Sequence, residues 1–315
     1  MIKRTYILLL ILLFIIFLPS FGQSGSNAYE FINVPVSARS SAVGGQNVSI
    51  AEDDITLMFT NPALLTNVSH NTLNFNYTSY IASTSKLSAA FARQAGERTT
   101  WAVGAQYLTY GSIDETDETG TAMGKFTPSD LSLQGTFAYL MTDYWSGAIT
   151  AKMLYSKYGQ YNAFAMGVDL GLNYYNMDNG LSMSIVGRNF GGQIDPLYEE
   201  RETLPFDLAI GFSKNLGHAP IRINLTFDDL THWDDINFIQ HVILGVDASI
   251  GNAVWLGIGY NFRQAHEMKT ADGSSHMAGF NVGGGLNIKK FKVGVAWGKY
   301  HISSSSLIVN ASFTF

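Results

Sequence analysis

The sequence from Ile221 to Asp228, IRINLTFD, alternates strictly between apolar and polar side chains. Successive side chains of an extended chain point to opposite sides, so Arg222 and Ile223 must face opposite ways. The same alternation returns in 164–173 and 254–263. A period of two residues predicts strands with one apolar and one polar face.

Fourteen segments of this kind follow one another from residue 71 to the end of the chain. Each is about 9 to 16 residues long, and about 9–11 residues cross a bilayer when a strand is tilted. An even number of strands is typical of bacterial outer-membrane barrels. The predicted segments are 71–79, 85–94, 99–110, 129–141, 143–156, 160–175, 180–190, 203–214, 219–228, 240–250, 252–264, 276–288, 290–299 and 304–315.

The connections between these segments alternate in length. The long connections, 111–128, 191–202, 229–239 and 265–275, all fall in every second position, and short turns fill the others. Short turns at one end and longer loops at the other are typical of outer-membrane barrels. We therefore expect an all-β fold, a 14-stranded antiparallel transmembrane barrel over 71–315.

Charges on the polar face decide which side faces the lumen. Arg or Lys on the lipid face costs about 2–4 kcal/mol at the bilayer midplane, so the face that holds Arg188, Arg222 and Arg263 must be the lumen. With sequential pairing we expect inward charge pairs between neighbouring strands, unless the charges are independently solvated. The expected pairs are Asp169 with Arg188, Asp207 with Arg222, and Asp247 with Arg263.

The N-terminal residues predict export. Lys3 and Arg4 precede an apolar run that ends at Pro19, which is too short for a spanning helix of about 20 residues. Residues 1–22 are therefore interpreted as a cleaved signal peptide.

Residues 23–70 do not alternate. The predicted lumen face is rich in glycine, and a barrel of this width is not filled by its own side chains. We expect the segment to fold inward as a plug; a periplasmic tail is the alternative. The residues that we assign to the plug are Gly44, Gly45, Asp53, Asp54, Asn61 and Pro62.

Composition excludes several classes. Charged residues make up 14% of the chain, with 19 Lys and Arg against 25 Asp and Glu, which argues against a nucleic-acid partner. The absence of cysteine excludes disulfides, thiolate metal sites and a cysteine nucleophile. The seven histidines show no metal-binding spacing, and no catalytic constellation is apparent. We predict no cofactor, no metal site and no enzymatic activity.

Several motifs resemble a known family. The N-terminal run from Val34 to Arg39, the pair Gly44-Gly45 and the turn that starts at Asn61-Pro62 resemble the hatch of the FadL-like barrel superfamily. Leu204-Pro205-Phe206-Asp207 and the turn 216–222 are similar to an outer-membrane family of the type IX secretion system.

That resemblance implies a membrane platform. In that family the barrel belongs to a cell-surface attachment complex, together with a sortase and a second FadL-like barrel. It anchors a surface-exposed partner protein, and its environment is outer-membrane lipid and lipopolysaccharide. The alternative is a FadL-type channel for hydrophobic small molecules, which would need an apolar pocket in the hatch and a side opening.

The long loops contain the residues that we expect to bind a partner protein. Their acidic groups form either a docking rim, with or without divalent ions, or ordinary solvated loop charge. Trp233 is the aromatic that we expect to anchor the partner. The candidate partner-binding residues are Asp114, Glu115, Asp117, Glu118, Glu199, Glu200, Asp229, Trp233 and Asp234.

Overall fold

The computed structural model describes residues 29–81, 84–116, 119, 121–196, 201–233, 236–251, 253–268, 277–300 and 304–315. The predicted signal peptide, 1–22, lies outside the described residues. The described part of the plug segment starts at Tyr29. No helix in the described ranges is long and apolar enough to cross a membrane.

Fourteen antiparallel strands close into a single barrel, in which each strand pairs with its neighbours along the chain and the last pairs with the first. This confirms the predicted fold class. A separate two-stranded hairpin, β4 and β5, lies in the connection between β3 and β6. The strands are β1 (Thr72–Ser79), β2 (Ser85–Gln94), β3 (Thr99–Thr109), β4 (Ile113–Thr116), β5 (Ala122–Phe126), β6 (Ser129–Leu140), β7 (Trp145–Tyr158), β8 (Tyr161–Asn176), β9 (Leu181–Asp195), β10 (Asp207–Asn215), β11 (Ile221–Phe227), β12 (Val242–Ile250), β13 (Val254–Asn261), β14 (Phe280–Ile288), β15 (Phe291–Gly298) and β16 (Ser306–Thr314).

The two faces of the wall are oriented as the alternation predicts. Ile223 is 47% exposed on the outside, whereas Arg222 is 6% exposed and points inward. The outer face exposes many Leu, Ile, Val and aromatic side chains, such as Leu133 and Phe137. Slipping one residue would place the inward arginines outside, so the pattern specifies the register strongly.

Several strand boundaries differ from the predicted ones, and two of these differences have a clear local cause. The segment 252–264 ends as a strand at Asn261, because the Asn261 side chain accepts hydrogen bonds from the N–H groups of Arg263 and Gln264 and starts the α-helix Phe262–Glu267. The segment 180–190 continues to Asp195, past a bulge at Asn189, whose φ of 62° is left-handed. Arg263 therefore lies on this helix, and its predicted place on the lumen face of a strand is wrong.

The chain before β1 folds into short helices. An α-helix covers Ala38–Ala42, and 3₁₀-helices cover Glu30–Asn33, Ile55–Phe59 and Pro62–Asn67. A fourth 3₁₀-helix, Phe238–His241, precedes β12. We call the end of the barrel that holds the connections 110–128, 196–206, 228–241 and 262–279 the long-loop end, and the other the short-turn end.

Candidate functional site

The N-terminal segment runs through the inside of the barrel from one end to the other. At the long-loop end the fully buried Lys86 Nζ donates hydrogen bonds to the carbonyls of Phe31, at 3.0 Å, and Val34, at 2.7 Å. At the short-turn end Asp53 forms an ion pair with Lys292 and accepts a hydrogen bond from the N–H of Ser69 at 2.7 Å. Because the segment contacts strands around the circumference, it occupies the lumen.

Glycines in the wall make room for this segment. A Cβ on Gly245 would lie 2.5 Å from Val43 Cβ, and one on Gly283 would lie 2.9 Å from Ala42 Cβ. Gly44 and Gly45 have φ of 115° and 106°, which favours glycine, and they turn the chain after the helix Ala38–Ala42.

The other residues assigned to the plug hold its local structure. The Asp54 carboxylate accepts hydrogen bonds from Thr56 N, at 2.9 Å, and so caps the helix Ile55–Phe59. Asn61 accepts a hydrogen bond from Ala63 N at 3.0 Å and caps the next helix, in which Pro62 takes the first position. Asn61 also donates from Nδ2 to the Val48 carbonyl at 2.7 Å. The Asn-Pro pair is thus a helix start inside the lumen.

The two neighbouring carboxylates of the segment differ in pKa. Burial acts to raise the pKa of Asp53, but hydrogen bonds from Lys292 and Ser69 outweigh burial and lower that pKa. Burial raises the pKa of Asp54, which the hydrogen bonds from Thr56 only partly oppose.

Five of the six residues predicted to form inward charge pairs are buried in the lumen, Arg263 being the exception, but none has its predicted partner. Arg188 forms ion pairs with Asp207 and, at 2.6 Å, with Asp228, not with Asp169. Asp169 instead pairs with Lys152 at 2.7 Å. The bulge in β9 is the reason: it turns the Asn189 N–H toward Asp169, at 2.8 Å, while Arg188 stands directly opposite Asp207.

The other two predicted pairs are wrong because their members lie at opposite ends of the barrel. Asp207 starts β10 at the long-loop end, whereas Arg222 lies opposite Asn215 at the short-turn end. Arg222 therefore pairs with the directly opposite Asp247 at 2.7 Å. Arg263 lies beyond the long-loop end of β13 and pairs with Asp229 and, at 2.6 Å, with Glu267.

Asp247 joins the wall to the N-terminal segment. Besides Arg222 it binds Arg39 of the helix Ala38–Ala42 at 2.9 Å, and Arg222 in turn binds Glu52 at 2.8 Å. The Arg39 guanidinium also lies over the Trp255 ring, 4.9 Å from its centroid. Sequence reasoning missed these contacts, since more than 150 residues separate the segment from the wall residues. It also passed over Lys86, Lys152 and Lys292, although the alternation places all three on the inner face.

At the long-loop end, the predicted rim residues are only partly free. Asp114 pairs with Lys125 across the hairpin at 3.1 Å, and Glu115 is exposed beside it. Asp229 is occupied by Arg263 and His232. The rim predictions Asp117, Glu118, Glu199, Glu200 and Asp234 lie outside the described residues.

The Trp233 side chain is half exposed, and two contacts hold its ring in place. Its Nε1 donates a hydrogen bond to the Leu230 carbonyl at 2.8 Å, and its ring lies 4.3 Å from that of the buried His241. Asp228, at the start of the same loop, is held by Arg188. Burial raises the pKa of Asp228 to about 6, against the opposing effect of Arg188. Asp228 is therefore held by the inner wall and Trp233 by Leu230 and His241, while half of the Trp233 side chain stays exposed.

Within the described residues, no group of three or more His, Asp or Glu side chains is arranged to hold a metal ion.

Solved structures of FadL-like barrels share this fold. The toluene transporter TodX of Pseudomonas putida aligns with a TM-score of 0.57 at 12% identity, over 88% of this chain and 96% of its own. A FadL homologue of Pseudomonas aeruginosa gives 0.55 at 10% identity, over 89% and 98%. The CymD monoaromatic hydrocarbon channel gives 0.56 at 12% identity, over 90% and 98%. The chain thus has the fold of the FadL-like outer-membrane barrels. Comparison with protein-family models and with curated protein sequences gives no match.

Proposed function

We propose that this chain is a non-enzymatic outer-membrane component of the type IX secretion system, a platform that resembles PorQ and anchors a surface-exposed partner of the cargo attachment complex. The observation that carries the proposal is a lumen occupied by a segment that ion pairs hold to the wall, one of them buried and two of them partly exposed. A lumen that is occupied by a segment bound to the wall suits a membrane platform better than a path for solutes.

The outer membrane is the location that this proposal requires. Closure of the barrel leaves no open sheet edge, so the strands satisfy one another's backbone hydrogen bonds without water. The outer face exposes aliphatic side chains, as the lipid-facing side of an outer-membrane barrel does. Lipid and lipopolysaccharide are then its immediate surroundings. In the usual orientation of such barrels, the long loops face the cell exterior.

A FadL-type channel is the second candidate, and two observations favour it: the fold of the neighbours above and the bulge of β9 at Asn189. Such an interruption could open the wall. The bulge is covered, however, since Asn189 Nδ2 donates to the Pro205 carbonyl at 2.8 Å and the Phe190 and Phe206 rings lie 4.5 Å apart. The cavity near Arg39 and Trp255, moreover, is lined by five charged side chains and only three apolar ones, whereas a hydrocarbon needs a mostly apolar lining.

Affinity isolation separates the two functions. The tagged protein is purified from detergent-solubilised outer membrane, and the platform proposal expects a surface protein, a sortase and a second FadL-like barrel to co-purify. Uptake of labelled fatty acid in cells with and without the protein is measured in parallel. Saturable uptake that depends on this protein, without co-purifying partners, would favour the channel.

Trp233 tests the docking surface. Trp233→Ala should release the surface partner into the medium, because a half-exposed aromatic ring on a fixed loop suits a binding anchor. The readout is the fraction of partner retained on intact cells. Trp145→Ala, which removes an exposed aromatic at the short-turn end, is the matched control and should retain the partner. Equal retention in both variants contradicts the role of Trp233.

A further inference from the structure

A cavity of about 560 Å³ opens at the short-turn end, between the N-terminal segment and the inner faces of β12–β16. Its volume lies in the range of about 300–1,000 Å³ that is usual for small-molecule sites. The proposed docking of a surface partner does not use it, since that partner binds at the other end. Charged side chains of both signs line it: Arg39, Glu52, Asp53, Asp54 and Lys292.

The positive side of this cavity is rigidly held. The Arg39 side chain is 6% exposed, lies over Trp255 and donates to Asp247 at 2.9 Å. Its Nε is buried and has no acceptor within the described residues. Lys292 is fixed by Asp53, whose carbonyl it reaches at 2.5 Å. The guanidinium therefore keeps an unused donor, and a second cation, Lys292, lines the same cavity.

The negative side has a carboxylate without a counter-ion. Asp54 accepts two hydrogen bonds from Thr56 through Oδ1, at 2.9 Å and 2.7 Å, and in the described parts of the chain no cation lies within ion-pair distance of it. The five charged lining residues carry two positive and three negative charges, a formal sum of −1. A ligand that fits this lining carries one surplus positive charge.

We propose that this cavity binds an amphoteric ligand of amino-acid type with a net positive charge, its ammonium group beside Asp54 and its carboxylate toward Arg39 and Lys292. A basic amino acid has this chemistry, and so does the C-terminal lysine of a short peptide. Asn287, Asn310 and Ser312 line the same wall with neutral polar side chains.

Calorimetric titration of the purified full-length barrel in detergent tests the site. The probes are L-lysine, N-acetyl-lysine amide, which keeps the side-chain charge but lacks both α-charges, and L-glutamate. L-lysine should bind saturably and at least about tenfold more tightly than the other two. No saturable binding of L-lysine, or equal binding of N-acetyl-lysine amide, overturns the proposal.

Asp54→Asn is the decisive variant, because asparagine caps a helix as well as aspartate does and the segment should keep its fold. It should weaken the binding of L-lysine at least about tenfold. Asp143→Asn removes an exposed carboxylate from a turn at the same end and is the matched control. Unchanged binding in Asp54→Asn overturns the assignment, provided that its thermal unfolding matches that of the wild type.

A tripeptide, Ala-Ala-Lys, distinguishes the two sources of the ligand. Tighter binding of the tripeptide than of L-lysine supports a site for peptide ends, whereas weaker binding supports a site for free amino acids. The proposed function is tested separately, by the retention of the surface partner in the Trp233→Ala variant. Failure of all these titrations would therefore overturn the ligand site without affecting that function.

Discussion

Two parts of the barrel wall hold the same N-terminal segment in different ways. The charged wall consists of Arg188, Asp207, Arg222 and Asp247 on β9–β12, and it binds Arg39, Gln46 and Glu52 of the segment. The alanine wall consists of Ala90, Ala92, Ala102 and Ala138 on β2, β3 and β6, and it packs against Ile55, Met58, Leu65 and Val68.

The difference teaches how a wide barrel places a filling segment. Apolar side chains on an alanine surface exclude water but accept small shifts, because packing is not directional. Buried ion pairs have defined partners, and a misplaced segment would leave a charge unpaired. We infer that the alanine wall supplies area and the charged wall fixes the position.

The largest effect is expected in the charged wall. Asp247→Ala leaves the buried Arg39 and Arg222 without their shared carboxylate, which should lower the free energy of unfolding by about 3–5 kcal/mol. Urea unfolding of the purified barrel in detergent measures it. Asp143→Ala removes a largely exposed carboxylate whose partner Arg98 lies 3.5 Å away, and should change the free energy of unfolding by less than about 0.5 kcal/mol. Equal effects would show that the buried network contributes nothing.

The alanine wall should respond somewhat less. Leu65→Ala removes a fully buried side chain and should cost about 2–4 kcal/mol by loss of packing and creation of a cavity. The same urea titration applies, with Leu216→Ala in an exposed turn as the control. A loss larger than that of Asp247→Ala would reverse the ranking of the two walls.

The stability of the barrel should depend on pH at the long-loop edge of the charged wall, where Asp228 pairs with Arg188. The pKa of Asp228 is raised to about 6 by burial, so the folded protein holds its proton up to a higher pH than the unfolded chain does. Its contribution is full below about pH 4 and is lost as the pH rises through 6, a change on the order of 2 kcal/mol. The unfolding free energy of the wild type should therefore fall relative to that of Asp228→Asn between pH 4 and 6, and parallel pH profiles of the two would contradict this.

The smallest effect concerns the segment itself. Asn61→Ala removes both the cap of the helix Pro62–Asn67 and the hydrogen bond to the Val48 carbonyl, and should cost about 1–2 kcal/mol. Asn237→Ala is the control, because Asn237 holds the same position before the helix Phe238–His241 without a capping hydrogen bond from its side chain. Thermal unfolding of both variants resolves the difference, and similar values would show that the Asn61 cap is dispensable.

Local patterns account for the predictions that held. The alternation around Arg222 and Ile223 gave the inner and outer faces, because the direction of a side chain in a strand depends only on whether its position is odd or even. The end of β13 was missed because capping by Asn261 overrode an apolar alternation that seemed to continue through Phe262.

The candidate site was only partly predictable. The inward charges were identified from the face on which they lie, but their partners depend on register and on the bulge at Asn189. Asp207 and Arg222 belong to neighbouring strands and yet lie at opposite ends of them. The links from Arg39 and Glu52 to the wall could not be read from any local pattern.

The sequence by itself determined the number of barrel strands, which face of each strand points outward, and the alternation of long and short connections. It also determined that a non-strand segment precedes the barrel and that the lumen face is too rich in glycine to fill the barrel by itself. The tertiary structure decided which charges meet, which turns are held to the wall, and where a polar cavity is left at the short-turn end. The physical reason is range: side-chain direction in a strand is set by its own backbone, whereas an ion pair needs two groups within about 4 Å, and closure of the barrel alone brings them there.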